Sequence, residues 1–310
     1  MTNKAAVITL IIIAAFYSCS NKQSVPAVET ENISYIETAE AEIETSTRAE
    51  LIMRALAEAY PDQIKRIEFR DNDWAVLLRD KWYYYAEGRL LPENQLENTA
   101  NFRPSPFYNY PEDLPPWRQR TPEETERFSR WETIRRQNPL KRSNFFLDDL
   151  WQAASRTEIE NNLVRITFLG KQIKIHKLIQ NKVASVETQI ITIASNNPQV
   201  QTWIDTLGDL EGYGWRNIAG TQSRSYHSYG LAVDLLPKSL GRLQTYWLWT
   251  SQYREDWWNV SYNERYHPPA EVIKAFETNG FIWGGKWPLF DTMHFEYRPE
   301  VIIFNGLPLL

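Results

Sequence analysis

Cysteine is almost absent from the sequence, since Cys19 is the only one among 310 residues. A disulfide framework is therefore excluded, and the folded part must be stabilised by packing. Hydrophobic residues make up 43% of the chain, which is enough to fill real cores. The length suits about two domains of roughly 150 residues each.

Clusters of lysine and arginine are also missing, and the net charge is -5. Phosphate backbones are bound by a basic face that displaces counterions, so nucleic acid is excluded as a partner. Internal repeats are absent as well. Tryptophan and tyrosine are plentiful, at 13 and 16 residues. They suit contacts with glycans or peptides, but they also fill cores and interfaces.

One apolar run stands near the start of the chain, at residues 5–15 after Lys4. It is too short to span a bilayer as a helix, and it predicts an export signal. The sequence FYSC at residues 16–19 is similar to a bacterial lipoprotein signal-peptidase box, in which Cys19 becomes the lipidated first residue. The alternative is ordinary cleavage at a small residue, which leaves Cys19 as a spare thiol.

The folded part begins after a polar, glutamate-rich stretch. We expect residues 1–19 to be a signal peptide of lipoprotein type and residues 20–46 to be a disordered tether, because the latter cannot bury enough apolar surface. Residues 47–160 form an accessory region in this interpretation. The remaining residues, 161–310, form a second domain that holds the candidate site.

Local signals predict the elements of the accessory region. A capping box at residues 47–50 starts a helix that Pro61 stops, and three β-rich runs between residues 64 and 86 predict a meander. Five prolines between residues 103 and 117 exclude regular structure there and favour a connector laid over its own domain rather than a proline-rich ligand for a partner. A second capping box, at Thr121, starts another helix. Its predicted apolar face carries Phe128, Trp131 and Ile134.

The second domain also has clear local signals. Residues 163–176 predict a hairpin closed at Gly170-Lys171, and residues 231–235 predict a buried strand. Helices are predicted over residues 145–154, 183–194, 198–207 and 270–278.

Two short segments offer reactive side chains. His227 and Asp234 lie in the first segment, and Asp291 and His294 lie in the second. Two imidazoles with carboxylates are the ligand set of a catalytic zinc ion that keeps one position for water. Taken singly, each has a plainer explanation, because an aspartate at a strand is usually a cap or an ion pair and a lone histidine is usually structural.

The two segments together resemble a known family. The sequence SYHSYGLAVD at residues 225–234 resembles the S-x-H-x-x-G-x-A-x-D motif of zinc peptidases that act on peptidoglycan stem peptides, and DTMH at residues 291–294 matches their second motif. The family includes D-alanyl-D-alanine carboxypeptidases, dipeptidases and L-alanyl-D-glutamate endopeptidases. Residues 276–287 and 295–296 are similar to the endopeptidase branch, and the resemblance covers residues 163–299.

The resemblance implies roles for individual residues. His227, Asp234 and His294 become the Zn²⁺ ligands, with water in the fourth position. Asp291 becomes the general base that takes a proton from this water, at a position where many members carry glutamate. Glu296 is a partner of His294 or a reserve base.

Substrate contacts are predicted from neighbouring residues. Ser225 matches a family position that contacts substrate or supports a ligand, and the alternative is a turn residue. Arg216 and Arg224 are the nearest cations to hold a carboxylate-rich peptide or an oxyanion, and we favour Arg216. Either arginine could instead be a surface residue.

The sequence therefore predicts an α+β protein whose 161–310 domain has a small antiparallel sheet with flanking helices. We expect a zinc metallopeptidase of the L-Ala-D-Glu endopeptidase or D,D-carboxypeptidase type, anchored in the membrane through Cys19 on the periplasmic side of a bacterial envelope. One rival is a catalytically silent, zinc-containing module that binds cell wall, and another is a chance match without metal. The bond cleaved and the oligomeric state stay open.

Overall fold

The computed structural model describes residues 45–310. The predicted signal peptide, its Cys19 and nearly all of the predicted tether lie outside these residues and stay predictions. Within 45–310, no helix combines the length and the apolar character needed to cross a membrane. Helices packed with small antiparallel sheets confirm the predicted α+β class.

The accessory region begins with a helix and an antiparallel sheet in the order β1-β2-β3-β4. These elements are α1 (Thr45–Ala59), β1 (Ile64–Arg70), β2 (Asp73–Leu78), β3 (Lys81–Tyr84) and β4 (Leu91–Pro92). The first hairpin turns at Asp71 and Asn72, whose φ angles of 50° and 66° suit these residue types. The predicted helix is confirmed, but it begins at Thr45, two residues before the predicted capping box. The predicted meander is also confirmed, and β4 extends it by one short strand.

Residues 102–142, which include the proline-rich connector, form a small pair of parallel strands with a helix between them. Its elements are β5 (Phe102–Arg103), α2 (Pro122–Gln137) and β6 (Lys141–Arg142). Residues 104–121, all of them described, contain neither helix nor strand, as the prolines predicted. Thr121 and Glu124 form the predicted capping box. Phe128 and Trp131 are buried. Ile134 is 50% exposed because α2 extends past the side chains that cover Phe128 and Trp131. The predicted apolar face was therefore wrong at Ile134.

The middle of the chain follows the predicted order. Its elements are α3 (Phe145–Trp151), α4 (Arg156–Glu160), β7 (Leu163–Phe168), β8 (Lys171–His176), α5 (Gln180–Ala194) and α6 (Pro198–Thr206). The β7–β8 turn lies at Leu169-Gly170, with φ of 47° and 76°, one residue before the predicted turn. Helix α3 ends three residues early because Gln152 adopts a left-handed φ of 51°.

The last part holds a four-stranded antiparallel sheet in the order β11-β12-β10-β9. Its elements are β9 (Leu207–Glu211), β10 (Ala232–Pro237), α7 (Trp247–Thr250), α8 (Ala270–Thr278), β11 (Phe281–Trp283), β12 (His294–Tyr297) and α9 (Pro299–Phe304). Strands β10 and β12 occupy the centre. They pair in a register that sets Asp234 opposite His294.

One hydrophobic core runs through both ends of the described chain. It joins Ile52 of α1 to Phe295 of β12, and α1 also packs on α9. The Tyr60 hydroxyl donates a buried hydrogen bond of 2.6 Å to Glu300. The accessory region is therefore packed against the sheet that holds the candidate site, while the division at residue 160 stays a prediction.

Candidate metal centre

Strands β10 and β12 position the predicted ligands. Asp234 and His294 are direct partners in the antiparallel register, and His227 lies in a short 3₁₀ turn just before β10. This turn ends at Gly230 with a φ of 65°. A Cβ at Gly230 would lie 2.7 Å from the backbone nitrogen of His176, so the turn requires glycine.

Three ligand atoms converge between these elements. His227 Nε2 lies 3.1 Å from Asp234 Oδ1 and 3.2 Å from His294 Nδ1, and the latter two atoms are 2.8 Å apart. Tetrahedral zinc ligands with bonds of about 2.0–2.1 Å lie roughly 3.3 Å from one another. All three side chains are buried, and together they could hold a metal ion.

Hydrogen bonds on the far side of each ring suit the histidine tautomers of a metal site. His227 Nδ1 lies 2.5 Å from the carbonyl oxygen of Gly212, and His294 Nε2 lies 3.2 Å from the carboxylate of Glu296. In the tautomers that place the ring protons on these two nitrogens, both protons are donated to an acceptor. The lone pairs of His227 Nε2 and His294 Nδ1 then point into the cluster, as metal ligation requires.

The charges of the cluster are strongly coupled. Burial raises the pKa of the Asp234 carboxyl, but the neighbouring His227 and His294 outweigh burial and lower it. Burial lowers the pKa of His294, while hydrogen bonds to Asp234 and Glu296 raise it well above its ordinary value. The pKa of Glu296 is lowered, since its hydrogen bond from His294 and the charge of Arg298 outweigh burial. Without a metal ion the site thus attracts positive charge.

Asp291 stands beside the cluster in the turn before β12. Its backbone N–H donates to the Gly284 carbonyl at 2.9 Å, and a Cβ at Gly284 would lie 2.5 Å from the Asp291 carbonyl oxygen. Its Oδ1 is buried and has no hydrogen-bond partner. Burial raises the pKa of Asp291 to about 8, with the attraction of His294 opposing and the charge of Asp234 adding to the effect. An orphaned carboxyl oxygen beside three ligand atoms is typical of a functional site.

A family model covers all four of these side chains. Residues 219–297 match the family described as D-alanyl-D-alanine carboxypeptidase. The resemblance expected from the two motifs is thereby confirmed over this segment, which we call the matched segment. The match supports a zinc peptidase that acts on peptidoglycan as the general class.

The remaining comparisons with known proteins give no function for the rest of the chain. Residues 52–107 match a family described as a domain of unknown function. No curated protein and no solved structure was found to match the chain. Residues 108–218 are therefore covered by neither family, although they contain Arg216 and most of the proline-rich connector.

An open cleft of about 420 Å³ lies over the cluster. His227, Asp234, His294 and Asp291 line it. Its lining also includes the aromatic residues Tyr246, Trp247, Trp249 and Trp287. Five residues of the accessory region, which we call the accessory wall, line it as well: Arg103, Pro106, Tyr108, Trp131 and Arg142. The volume is within the range of small-molecule and cofactor pockets. Another depression, of about 220 Å³, lies beside β7 and β8 and contains none of the predicted site residues.

The two candidate arginines occupy different places. Arg216 lines the cleft, pairs with Glu211, and has a guanidinium nitrogen 3.9 Å from Asp234 Oδ2. Arg224 does not line the cleft, and it donates to Asp148 Oδ1 at 2.5 Å and to the Ala153 carbonyl at 2.7 Å. Placement therefore favours Arg216, and a substrate role for Arg224 stays a prediction without geometric support.

Ser225 and Trp287 lie beside the cluster. Ser225 lines the cleft, and its Oγ accepts the N–H of His227 at 3.3 Å, so it has at least the turn role. Trp287 lines the cleft, with its ring 5.5 Å from that of His294. Trp283 packs beneath, and its Nε1 donates to the Thr292 carbonyl. The remaining histidines were not predicted as ligands, and His176 instead faces the Trp151 carbonyl.

The accessory wall was missed from the sequence. Arg103 and Arg142 reach the cleft through the pairing of β5 with β6, two strands of two residues each, and Trp131 reaches it from α2 between them. Such short strands carry no periodic pattern, and their pairing spans a helix and a proline-rich stretch. No local signal could have found them. Gly212 as a carbonyl acceptor was equally invisible, because its role depends on the path of the backbone after β9.

Proposed function

We propose that the protein is a zinc-dependent peptidase that hydrolyses a peptide bond in peptidoglycan stem peptides. The observation that carries the proposal is the convergence of His227 Nε2, Asp234 Oδ1 and His294 Nδ1 beside the orphaned Oδ1 of Asp291. A purely structural metal site needs a closed set of ligands and has no use for an adjacent free carboxylate.

The residues fit the roles of such a site. His227, Asp234 and His294 would hold the ion. When bound, zinc supplies Lewis acidity that polarises a carbonyl group and makes water more acidic. Burial raises the pKa of the Asp291 carboxyl to about 8, and a cation held by these ligands would favour its charged form, in which it can act as a general base.

The protein's own side chains would carry the proton and the charge. Asp291 accepts a proton from the attacking water at its carboxylate and later donates it to the leaving amine. Arg216 lines the same cleft and presents a guanidinium to the oxyanion or to a substrate carboxylate. Glu296 holds His294 by hydrogen bonding, and this bond sets the orientation of the ring.

The proposed bond is either L-Ala-D-Glu or the terminal D-Ala-D-Ala. The matched family carries the carboxypeptidase description, whereas residues 276–287 resemble the endopeptidase branch. Mass spectrometry of muropeptides after digestion by zinc-loaded protein tests both. Loss of one D-alanine identifies the carboxypeptidase, whereas a glycan that keeps only L-alanine, with release of the peptide that begins at D-glutamate, identifies the endopeptidase.

The same assay distinguishes the proposed peptidase from the main rival, a catalytically silent module that binds cell wall. If zinc-loaded protein binds stem peptides but leaves every muropeptide intact, the protein is a catalytically silent wall-binding module and not a peptidase. Protein that binds no zinc would overturn both.

We also propose that Cys19 carries a lipid anchor that holds the enzyme in the bacterial envelope, facing the periplasm. The export-type run at residues 5–15 and the FYSC sequence support this proposal. Cys19→Ser should move the full chain from the membrane fraction to the soluble fraction. Equal membrane association of the variant and the wild type would contradict the anchor.

A further inference from the structure

An exposed tryptophan lines the cleft that contains the candidate metal centre. Among residues 45–310, Trp249 is the most exposed tryptophan, with 46% of its surface accessible. It lines the same cleft as Asp291 and His294. An exposed indole ring in the lining of an open cleft offers a large apolar contact to a ligand.

The exposure is concentrated in one segment of the chain. Leu243 and Tyr253 are 39% and 69% exposed, so residues 243–253 carry two further large apolar side chains in solvent. Trp247 of the same segment is buried in a core with Phe290. Clusters of exposed apolar groups mark interaction sites, whereas single ones are ordinary. The segment therefore combines a buried anchor with an exposed apolar surface.

Backbone pairing fixes this segment to the turn that carries Asp291. Tyr246 and Asp291 are antiparallel partners in an isolated bridge. The Thr250 N–H donates to the Tyr246 carbonyl at 3.1 Å, which closes one helical turn and places Trp249 about one turn from Tyr246. The rings of Tyr246 and Trp249 also pack edge to face, with centroids 5.5 Å apart. Trp249 is therefore held close to the proposed general base.

A pyranose ring has the chemistry that suits such a surface. One of its faces presents C–H bonds that pack on the flat, electron-rich face of an indole, while its hydroxyl groups remain in water. A carboxylate of the stem peptide is repelled by the same negative ring face. In peptidoglycan the stem peptide is joined to an uncharged sugar through its L-alanine. Any stem peptide in the cleft thus brings a pyranose ring with it.

We propose that Trp249 forms a sugar subsite that binds the glycan to which the stem peptide is joined. The inference rests on the proposed function, because it takes the cleft as the substrate site. It names the substrate class as glycan-linked peptides rather than free peptides. A sugar so close to the residue paired with Asp291 fits cleavage of the L-Ala-D-Glu bond, which only L-alanine separates from the sugar.

The test compares two soluble compounds with the same stem peptide, one joined to its disaccharide and one acetylated at the same nitrogen. Neither has a charged amino terminus, so they differ in the sugars and not in charge. Wild type should have a KM about 10-fold lower for the glycan-linked compound. Trp249→Ala should lose this preference with little change in kcat, because the contact binds ground state and transition state alike.

Trp117→Ala is the matched control. Trp117 is 42% exposed, nearly as much as Trp249, but it does not line the cleft. The control variant should keep the wild-type preference for the glycan-linked compound. A preference lost equally in both variants would overturn the subsite, since the effect would then not depend on the cleft.

Calorimetric binding keeps the inference independent of turnover. It is measured in the Asp291→Asn protein, in which hydrolysis should be strongly reduced. If wild type cleaves neither compound, yet Trp249→Ala removes tighter binding of the glycan-linked one, the subsite stands and the proposed peptidase fails. If wild type cleaves both without preference, or if Trp249→Ala keeps the preference, the subsite is overturned and the peptidase stands.

Two further variants separate ring stacking from general apolar contact. Trp249→Phe keeps a flat ring and should retain part of the preference, whereas Trp249→Leu keeps apolar volume without a ring and should resemble Trp249→Ala. Equal loss in the phenylalanine and leucine variants would overturn the stacking contact. Thermal unfolding is compared for all variants, and if Trp249→Ala is unfolded, the phenylalanine and leucine variants decide.

Discussion

His227 Nε2 and His294 Nδ1 lie 3.2 Å apart, and each ring donates its other N–H to a fixed acceptor. In the tautomers that metal ligation requires, these two nitrogens face one another as lone pairs, together with an oxygen of Asp234. Three such atoms in one buried place could hold a shared cation.

Removing the metal should destabilise the protein. We expect wild type to bind one zinc ion and to lose thermal stability with a chelator, since free zinc at 100 times its Kd adds about 2.7 kcal/mol. His227→Ala should bind no zinc and should be unaffected by the chelator. His267→Ala is the matched control and should retain zinc. Full zinc content in His227→Ala would contradict the assigned ligands.

Asp291→Asn should strongly reduce turnover and keep the metal. The substitution leaves the size of the side chain unchanged but removes its capacity to accept a proton, so kcat should fall by about 10²- to 10⁴-fold. Zinc content, measured by elemental analysis, should stay at one ion per chain. Asp209→Asn, at an exposed position of β9, should leave both quantities unchanged. An Asp291→Asn protein with undiminished kcat would transfer the role of base to Glu296.

The buried ion pair of Lys286 and Glu277 should stabilise the fold. Lys286 Nζ donates to Glu277 and to the carbonyls of Pro111 and Glu112, and both charged side chains are buried. Lys286→Met leaves the Glu277 carboxylate without its counter-charge, so the free energy of unfolding should fall by about 3–5 kcal/mol. Urea denaturation measures this loss.

The control for that pair is the exposed pair of Lys274 with Glu112, which have 46% and 61% side-chain exposure. Lys274→Met should cost less than about 1 kcal/mol. A similar small loss for Lys286→Met would show that the buried pair contributes little.

Acid should destabilise the fold through His176. Burial lowers the pKa of His176 from 6.5 to about 4. As the pH falls, the unfolded state binds a proton at this histidine before the folded state does. The contribution of His176 to the free energy of unfolding is therefore full above pH 6.5 and is lost progressively as the pH falls to about 4. The loss approaches about 1.4 kcal/mol per pH unit.

His176→Gln isolates that contribution. Glutamine can donate to the Trp151 carbonyl and accept from the Leu178 N–H, as the neutral ring does, but it does not titrate in this range. The free energy of unfolding should therefore fall less steeply in the variant between pH 6.5 and 4. Parallel pH profiles of variant and wild type would contradict the role of His176.

Local chemistry made much of the fold predictable. The capping box at Thr121, the asparagine cap before Pro198 and the glycine after Leu169 each act over a few residues, and the elements they define were found with small errors at their ends. The turn at Leu169-Gly170 was misplaced by one residue because a non-glycine residue also takes positive φ there. Ile134 was misjudged because its periodicity continues beyond the part of α2 that other elements cover.

The candidate site was partly predictable for a different reason. The motif around Asp234 and His294 carries its spacing in the sequence, and the antiparallel register then brings the two residues together. Nothing comparable marks Arg103 or Arg142, which are paired across 39 positions of chain that contain α2. Contacts of this kind depend on tertiary packing, which a single sequence does not encode in any short window.

The parallel pairing of β5 with β6 has a consequence for how such a protein can change. Residues 104–140 connect β5 to β6, and Trp131 within them also lines the cleft. The candidate metal centre, by contrast, is held by β10 and β12. Insertions, deletions or substitutions within residues 104–140 would alter which peptides fit the cleft without moving a proposed metal ligand. The selectivity and the reactivity of the proposed peptidase can therefore change independently during evolution.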